Sequence, residues 1–167
     1  YIGNTPYTDS NSAKDSWFMA LLTFGEGYHN FHHYFQTDYR NGIRWFQFDP
    51  TKWLIKFLSW FNLASKLKKT PDFKIYKARL QMKLLEAKDK LSIDEKHLKE
   101  LEVFKERVID SVKHLEDLKK QYSLAVKGKL VTGPHLIELK RKLDIAKVEF
   151  RYNIQAFNAM LNSRQFA

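Results

Sequence analysis

Apolar residues recur every three or four positions through the second part of the chain, the spacing of helices with one buried face. Helix-start signals stand at Thr70-Pro71-Asp72 and Ser92-Ile93-Asp94-Glu95, and a glycine and proline break runs from Gly128 to Pro134. The pattern predicts a long antiparallel helical hairpin, or a three-helix coiled-coil bundle with residues 71–91 as the third helix. The apolar rows are Phe73, Tyr76, Leu80, Leu84, Ala87 and Leu91; Leu98, Leu101, Phe104, Val108, Val112, Leu115, Tyr122 and Ala125; and Leu136, Leu139, Leu143, Ala146, Phe150, Asn153, Phe157 and Met160.

The first part of the chain predicts two further helices. Ser12-Ala13-Lys14-Asp15 has the form of a capping box, so one helix is expected from about Ala13 to about Phe35. Gly25 and Gly27 are its weak point, since each costs about 1 kcal/mol in a helix interior. The alternative is a break there, with a second short helix after it.

Asp49-Pro50 predicts the start of the next helix, because aspartate caps helices and proline suits their first position. This helix, expected to end near Leu63, is apolar over much more than one stripe and has lysines around it, Lys52 and Lys56 among them. Such a pattern is typical of an amphipathic helix in a membrane interface. A helix buried in a soluble domain is the alternative.

Charge is distributed unevenly along the 167 residues. Residues 1–65 hold five basic and five acidic residues, so the net charge of +10 lies entirely in residues 66–167. A basic segment could face anionic lipid headgroups, an acidic protein or nucleic acid. The absence of cysteine excludes disulfides and thiolate metal sites. No stretch approaches the ~20 apolar residues of a membrane-spanning helix.

Three of the six histidines stand at i, i+3 and i+4: His29, His32 and His33. On a helix these positions share one face, so their imidazoles can approach a common metal ion. The alternative is a polar face with solvated or internally bonded histidines. A zinc hydrolase is disfavoured because the usual His-Glu-x-x-His arrangement is missing. The other three, His97, His114 and His135, have no common spacing and are expected at the surface.

Aromatic and basic residues are interleaved in the predicted loop from Phe35 to Phe48. Such a composition could bind single-stranded nucleic acid, lie at a membrane interface, or cover the histidine helix as core. Beside an amphipathic helix and a histidine cluster, the interface is favoured over nucleic acid, and the core interpretation is equally acceptable.

The stretch Gly25-Glu26-Gly27-Tyr28-His29-Asn30-Phe31-His32-His33 resembles the third histidine box of the membrane-bound fatty acid desaturases, specifically the acyl-CoA desaturases related to stearoyl-CoA desaturase. The resemblance continues through 38–42, Trp45 and 49–53, in a form like the bacterial branch. Upstream, Gly3-Asn4-Thr5-Pro6-Tyr7 resembles the segment after a separate metal-binding histidine. Gln36 departs from the proline often found there.

The resemblance implies that the parent protein is an oxidoreductase that introduces a cis double bond into a fatty acyl-CoA, using O2 and an external electron donor of the cytochrome b5 or ferredoxin type. His29, His32 and His33 would be iron ligands of a di-iron centre, with no catalytic residue beyond the ligands. Asn30 and Glu26 are candidates for orienting the imidazoles. The remaining ligands would lie upstream of Tyr1, so this fragment alone is expected to be inactive.

The expected fold class is all-α. Residues 1–69 would be the C-terminal part of the desaturase catalytic domain, and residues 70–167 an added helical coiled-coil tail. The parent would be a multi-pass membrane protein in contact with lipids, with this segment on the cytoplasmic side and no nucleic-acid partner. The alternative function is a membrane-associated coiled-coil scaffold or partner-binding protein with incidental histidines, which the tail alone would favour.

Overall fold

The computed structural model describes residues 3–91, 95–128 and 133–162. These residues form helices without a β-strand, so the all-α prediction is confirmed; only isolated bridges pair Asp15 with Asn4 and with Tyr28. The helices are α1 (Trp17–Leu22), α2 (His29–Tyr34), α3 (Pro50–Trp60), α4 (Asp72–Leu91), α5 (Glu95–Gly128) and α6 (Gly133–Asn162). The chain divides into two compact units, residues 1–83 and 84–167, so the division falls within α4.

The predicted single helix from Ala13 to Phe35 is wrong, and the alternative with a break is found. Phe24 and Gly25 have φ angles of 53° and 101°, so the chain leaves α1 in the left-handed region before α2 begins. The predicted capping box is also wrong, because Ser16 caps α1 by accepting a hydrogen bond from the Met19 amide. The Asp15 carboxylate is used elsewhere, on α2.

Helix α3 begins as predicted. The Asp49 side chain accepts a hydrogen bond from the Lys52 amide, and Pro50 occupies the first helical position. Most of the large apolar side chains of α3 are exposed: Trp53, Leu54, Phe57 and Trp60. Lys52 differs from the prediction, because its side chain is buried and does not contribute to a basic surface.

The core of the first unit joins the histidine helix to the start of α4. Phe31 is buried against Tyr7, Ile75 and Ala78, and Phe35 and Ile43 pack on the same cluster. The Tyr7 and Phe31 rings meet edge to face with centroids 5.3 Å apart. The structure therefore places the first turns of α4 in the same unit as the histidines, whereas the predicted domain boundary at 69/70 stays a prediction.

In the second unit, α5 and α6 pack on each other through Leu115, Leu118, Leu143 and Ala146. The contacting residues lie equally far from the end of α5 and the start of α6, so the two helices run antiparallel and form a hairpin. The Ser92-Ile93-Asp94 part of the predicted capping box and residues 129–132 of the predicted break lie outside the described residues. Coiled-coil geometry and a third helix in the bundle stay predictions.

No helix among the described residues has the length and apolar character required to cross a membrane. The three scattered histidines do not share a site. His114 and His135 are exposed, whereas the His97 side chain is mostly covered, with Nδ1 3.6 Å from a Glu100 carboxylate oxygen.

Candidate metal centre

Two glycines allow the turn before the histidine helix to pack closely, Gly27 on α1 and Gly25 on Asp49. A Cβ atom at Gly27 would lie only 2.0 Å from the Ala20 nitrogen, and the Gly27 carbonyl accepts a hydrogen bond from the Ser16 amide. A Cβ at Gly25 would meet Asp49, and Gly25 already has a positive φ angle. The sequence Gly25-Glu26-Gly27 therefore forms a close-packed turn just before α2, which begins at His29.

The three predicted ligands lie together on α2, but only two of them touch. The Nε2 atoms of His29 and His33 are 2.9 Å apart and form a hydrogen bond in which one ring donates and the other accepts, so these two histidines are bonded to each other as the alternative interpretation expected. The His32 ring centroid lies 6.2 Å from that of His29 and 5.9 Å from that of His33. Within the described part of the chain, no three His, Asp, Glu or Cys side chains form a group that could hold a metal ion. The histidine cluster alone is therefore an incomplete ligand set.

The positions of the three imidazoles are nevertheless compatible with metal ligation. Two ligands at right angles around a metal, each with a bond of about 2.1 Å, stand about 3.0 Å apart, close to the separation of the His29 and His33 nitrogens. The Nδ1 atom of His32 is buried and has no hydrogen-bond partner among the described residues. A buried nitrogen without a partner is uncommon, and ligation would satisfy it.

Burial and the neighbouring His33 lower the pKa of His29. Neutral imidazole is the form that binds metals. Glu26 lies on the other side of this ring, with Oε2 3.9 Å from His29 Nδ1. Its Oε1 accepts a 3.0 Å hydrogen bond from the Asn41 side chain. At 3.9 Å the two groups are beyond hydrogen-bond distance, so the Glu26 carboxylate acts on the His29 ring only through its negative charge, which favours a proton on Nδ1.

Asn30, the other candidate for orienting the imidazoles, has a different set of partners. Its Oδ1 accepts from the Tyr7 and Thr8 amides, and its Nδ2 donates to the Thr8 and Ala13 carbonyls. Two accepted and two donated bonds are the full capacity of a primary amide. Asn30 is completely buried, and its side chain acts on the main chain of residues 7–13.

Asp15 was predicted to belong to the capping box of the first helix, but its carboxylate is bonded to the main chain of α2. Its Oδ1 accepts hydrogen bonds from the Asn30 amide at 2.9 Å and the Phe31 amide at 3.2 Å. Burial raises the pKa of this carboxyl to about 6, against the opposing effect of those two bonds. No local signal marks this contact, because the carboxylate and the amides it accepts from are about fifteen residues apart.

The loop after the histidine helix is held by two buried charged residues, Asp49, which caps α3, and Lys52 in its first turn. Asp49 accepts from the Asn41 and Gly42 amides at 2.7 and 2.9 Å while capping α3. The Lys52 ammonium donates to the Gly42, Arg44 and Gln47 carbonyls. Burial lowers the pKa of Lys52. Sequence reasoning identified the cap but gave no sign that this lysine points inward.

Asp38 and Arg40 close the other end of the same loop. Arg40 Nε and a terminal guanidinium nitrogen donate to the two carboxylate oxygens at 2.9 and 2.8 Å, and the Thr70 amide donates to the second. Burial alone would raise the pKa of Asp38, but the bonds from Arg40 and Thr70 outweigh it and lower the pKa. The chain just before α4 is therefore fastened to the histidine-bearing unit.

A cavity of about 470 Å³ opens beside the histidines. It is bordered by Met19 and Thr23 of the α1 region, by Glu26, and by His29 and His33. The space lies on the side where these two imidazoles are accessible, so a ligand or a further protein segment has room next to them.

Comparisons with known proteins find similarity to fatty acyl desaturases over about half of the chain. A segment of 81 residues, 48% of this chain, is 52% identical to acyl-CoA desaturase 1 of Saccharomyces cerevisiae, of which it covers 16%. A segment of 82 residues is 50% identical to a probable acyl-CoA desaturase of Schizosaccharomyces pombe and covers 17% of it. One of 71 residues is 41% identical to the sn-1 stearoyl-lipid 9-desaturase of Synechocystis and covers 22% of it.

The chain thus spans only 16% to 22% of the length of these three relatives. No family model matches the chain. No solved structure matches it either. About half of this chain is therefore similar to one part of fatty acyl desaturases.

Proposed function

We propose that this chain is the part of a fatty acyl-CoA desaturase that carries one of its histidine boxes, followed by a helical tail. The observation that carries the proposal is the histidine cluster on α2, with two Nε2 atoms 2.9 Å apart and a buried His32 nitrogen that has no hydrogen-bond partner among the described residues. The half of the chain that is similar to acyl-CoA desaturases adds support.

The roles proposed for this chain's residues follow from their positions. His29, His32 and His33 bind iron as neutral imidazoles, together with ligands from the parent protein. When bound, the di-iron centre supplies O2 activation and the removal of two hydrogens from the acyl chain. The negative charge of Glu26, 3.9 Å from Nδ1, favours the His29 tautomer with its proton on Nδ1, which leaves Nε2 for the metal. Asn41 in turn fixes the Glu26 carboxylate.

The parent's substrates and partners form part of the same proposal: a fatty acyl-CoA, O2, and an electron donor of the cytochrome b5 or ferredoxin type. We also place this part of the protein against the cytoplasmic side of a membrane. Contact with a membrane is supported by apolar side chains of α1, of α3 and of the residue that follows α3, which remain exposed in the first unit, in particular Trp17, Leu22, Trp60 and Phe61. Placement in the bacterial branch of the family is likewise proposed.

The proposed function is tested by expressing the full-length protein in cells that lack their own acyl-CoA desaturase and analysing their fatty acids. Wild-type protein should yield monounsaturated chains, and His29→Ala, His32→Ala and His33→Ala should each yield none. His114→Ala and His135→Ala, at exposed positions of the second unit, are matched controls that should retain wild-type product. Wild-type product from all three box variants would refute the assignment.

A further inference from the structure

The histidine helix is fastened to the segment before α1 by two side chains, Asp15 and Asn30. We propose that these two residues, which we call the 15/30 clamp, are positioning residues for the imidazoles of His29 and His32. The proposal rests on the proposed function, because it assigns a role toward the metal that the histidines bind.

Helix α2 is too short to keep a fixed orientation without contacts from other segments. It has six residues, and helices of that length are not stable alone because the cost of nucleation is not recovered. The Tyr28 residue before it makes no side-chain capping bond. The second and third amides of the helix, those of Asn30 and Phe31, instead donate to the Asp15 carboxylate. Those two residues are the ones between His29 and His32.

The Asp15 carboxylate is itself held in place by its main chain. The Asp15 amide donates to the Asn4 carbonyl at 2.7 Å, and the Asn4 amide donates to the Asp15 carbonyl at 3.0 Å. The next residue, Ser16, donates its amide to Gly27, just before the helix. A carboxylate on a main chain fixed on both sides gives the first turn of α2 a defined position.

Asn30 completes the clamp from the other direction. Its side chain makes four hydrogen bonds to the main chain of residues 7–13 and is completely buried. Aspartate could not replace it, because two carbonyls would lose their donor, and alanine would leave four main-chain groups unpaired. Asp15 therefore fixes the start of the helix, and Asn30 fixes its rotation about the axis.

The proposal predicts that metal binding follows the hydrogen-bond geometry at Asp15. In Asp15→Ala both amides lose their acceptor, whereas Asp15→Asn keeps an acceptor oxygen at the same place. Co2+ titration of the metal-free full-length protein, followed by its absorption spectrum, should show about tenfold weaker binding and an altered spectrum for Asp15→Ala. Asp15→Asn should bind within about twofold of wild type. Asp9→Ala, an exposed position in the same segment, is the control and should not change.

Wild-type affinity in Asp15→Ala, or equal losses in Asp15→Ala and Asp15→Asn, would overturn the proposal. A residue that only stabilised the fold would lower the unfolding temperature but leave the cobalt spectrum of the folded protein unchanged, and that result would also overturn it. Amide hydrogen exchange separates the clamp from the proposed function. Asn30 and Phe31 should exchange faster in Asp15→Ala whether or not metal binds, and unchanged exchange would refute the clamp itself.

Discussion

Truncation before α4 or within it tests whether the first turns of α4 are required for the histidine helix to bind iron. A chain ending at Lys69 keeps all three histidines but loses Ile75 and Ala78 from the core around Phe31. A chain ending at Lys83 keeps the whole first unit. We expect the full-length protein truncated after Lys83 to retain its iron and the one truncated after Lys69 to lose it.

The magnitude follows from the contacts removed. Burial of an isoleucine contributes about 1.5 to 3 kcal/mol and of a methyl group about 0.8 kcal/mol. Arg79 lies over the Tyr7 ring at 5.8 Å, a cation–π contact of about 0.5 to 1 kcal/mol. The total of about 3 to 5 kcal/mol is a large share of the free energy of unfolding of a typical domain, about 5 to 15 kcal/mol.

The assay is the iron content per chain of the purified truncated proteins. Ile75→Ala in the untruncated protein should reproduce part of the loss, since emptying a buried isoleucine site costs about 2 to 5 kcal/mol. Ile137→Ala, on an exposed position of α6, should have no effect. Wild-type iron in the protein truncated after Lys69 would refute the reasoning and would support the domain boundary at 69/70.

Three further results are expected. Burial raises the pKa of Asp15 to about 6, so the native protein binds this proton more tightly than the unfolded chain, and the free energy of unfolding should fall as the pH rises from about 4 to 6. In Asp15→Asn the unfolding temperature should depend less on pH over that range. An unchanged slope would contradict this prediction. Gly27→Ala should abolish iron binding by steric clash, whereas Gly133→Ala, with open space around it, should not; equal iron contents would contradict the close packing. Residues 84–167 expressed alone should be helical by circular dichroism with a cooperative thermal transition that Leu118→Asp abolishes; a disordered segment would contradict an independent hairpin.

Helices whose signals are local were predictable from the sequence. The Asp49-Pro50 pair gave the start of α3, and the apolar rows gave α5 and α6 with their contacting residues Leu115 and Leu143. The histidine spacing likewise indicated a shared face, because positions three and four apart on a helix are neighbours.

Contacts between distant segments account for what the sequence did not reveal. Asp15 has a local capping pattern available in Ser12 to Asp15, yet its carboxylate binds amides of α2 instead. Lys52 was predicted to lie on the basic surface of an amphipathic helix, but its ammonium is buried and donates hydrogen bonds to three carbonyls of the preceding loop. Ile75 lies beyond a lysine-rich segment that resembles a linker, and its packing on Phe31 depends on the folded chain.

The most direct test of the central claim is the iron content of the full-length protein with and without His32, whose buried nitrogen has no partner among the described residues. We predict about two irons per chain for the wild type and for His135→Ala, and a clear loss of iron for His32→Ala. Equal iron in all three proteins, or an iron-free wild type that still folds, would contradict the assignment of the histidine helix as part of a metal centre.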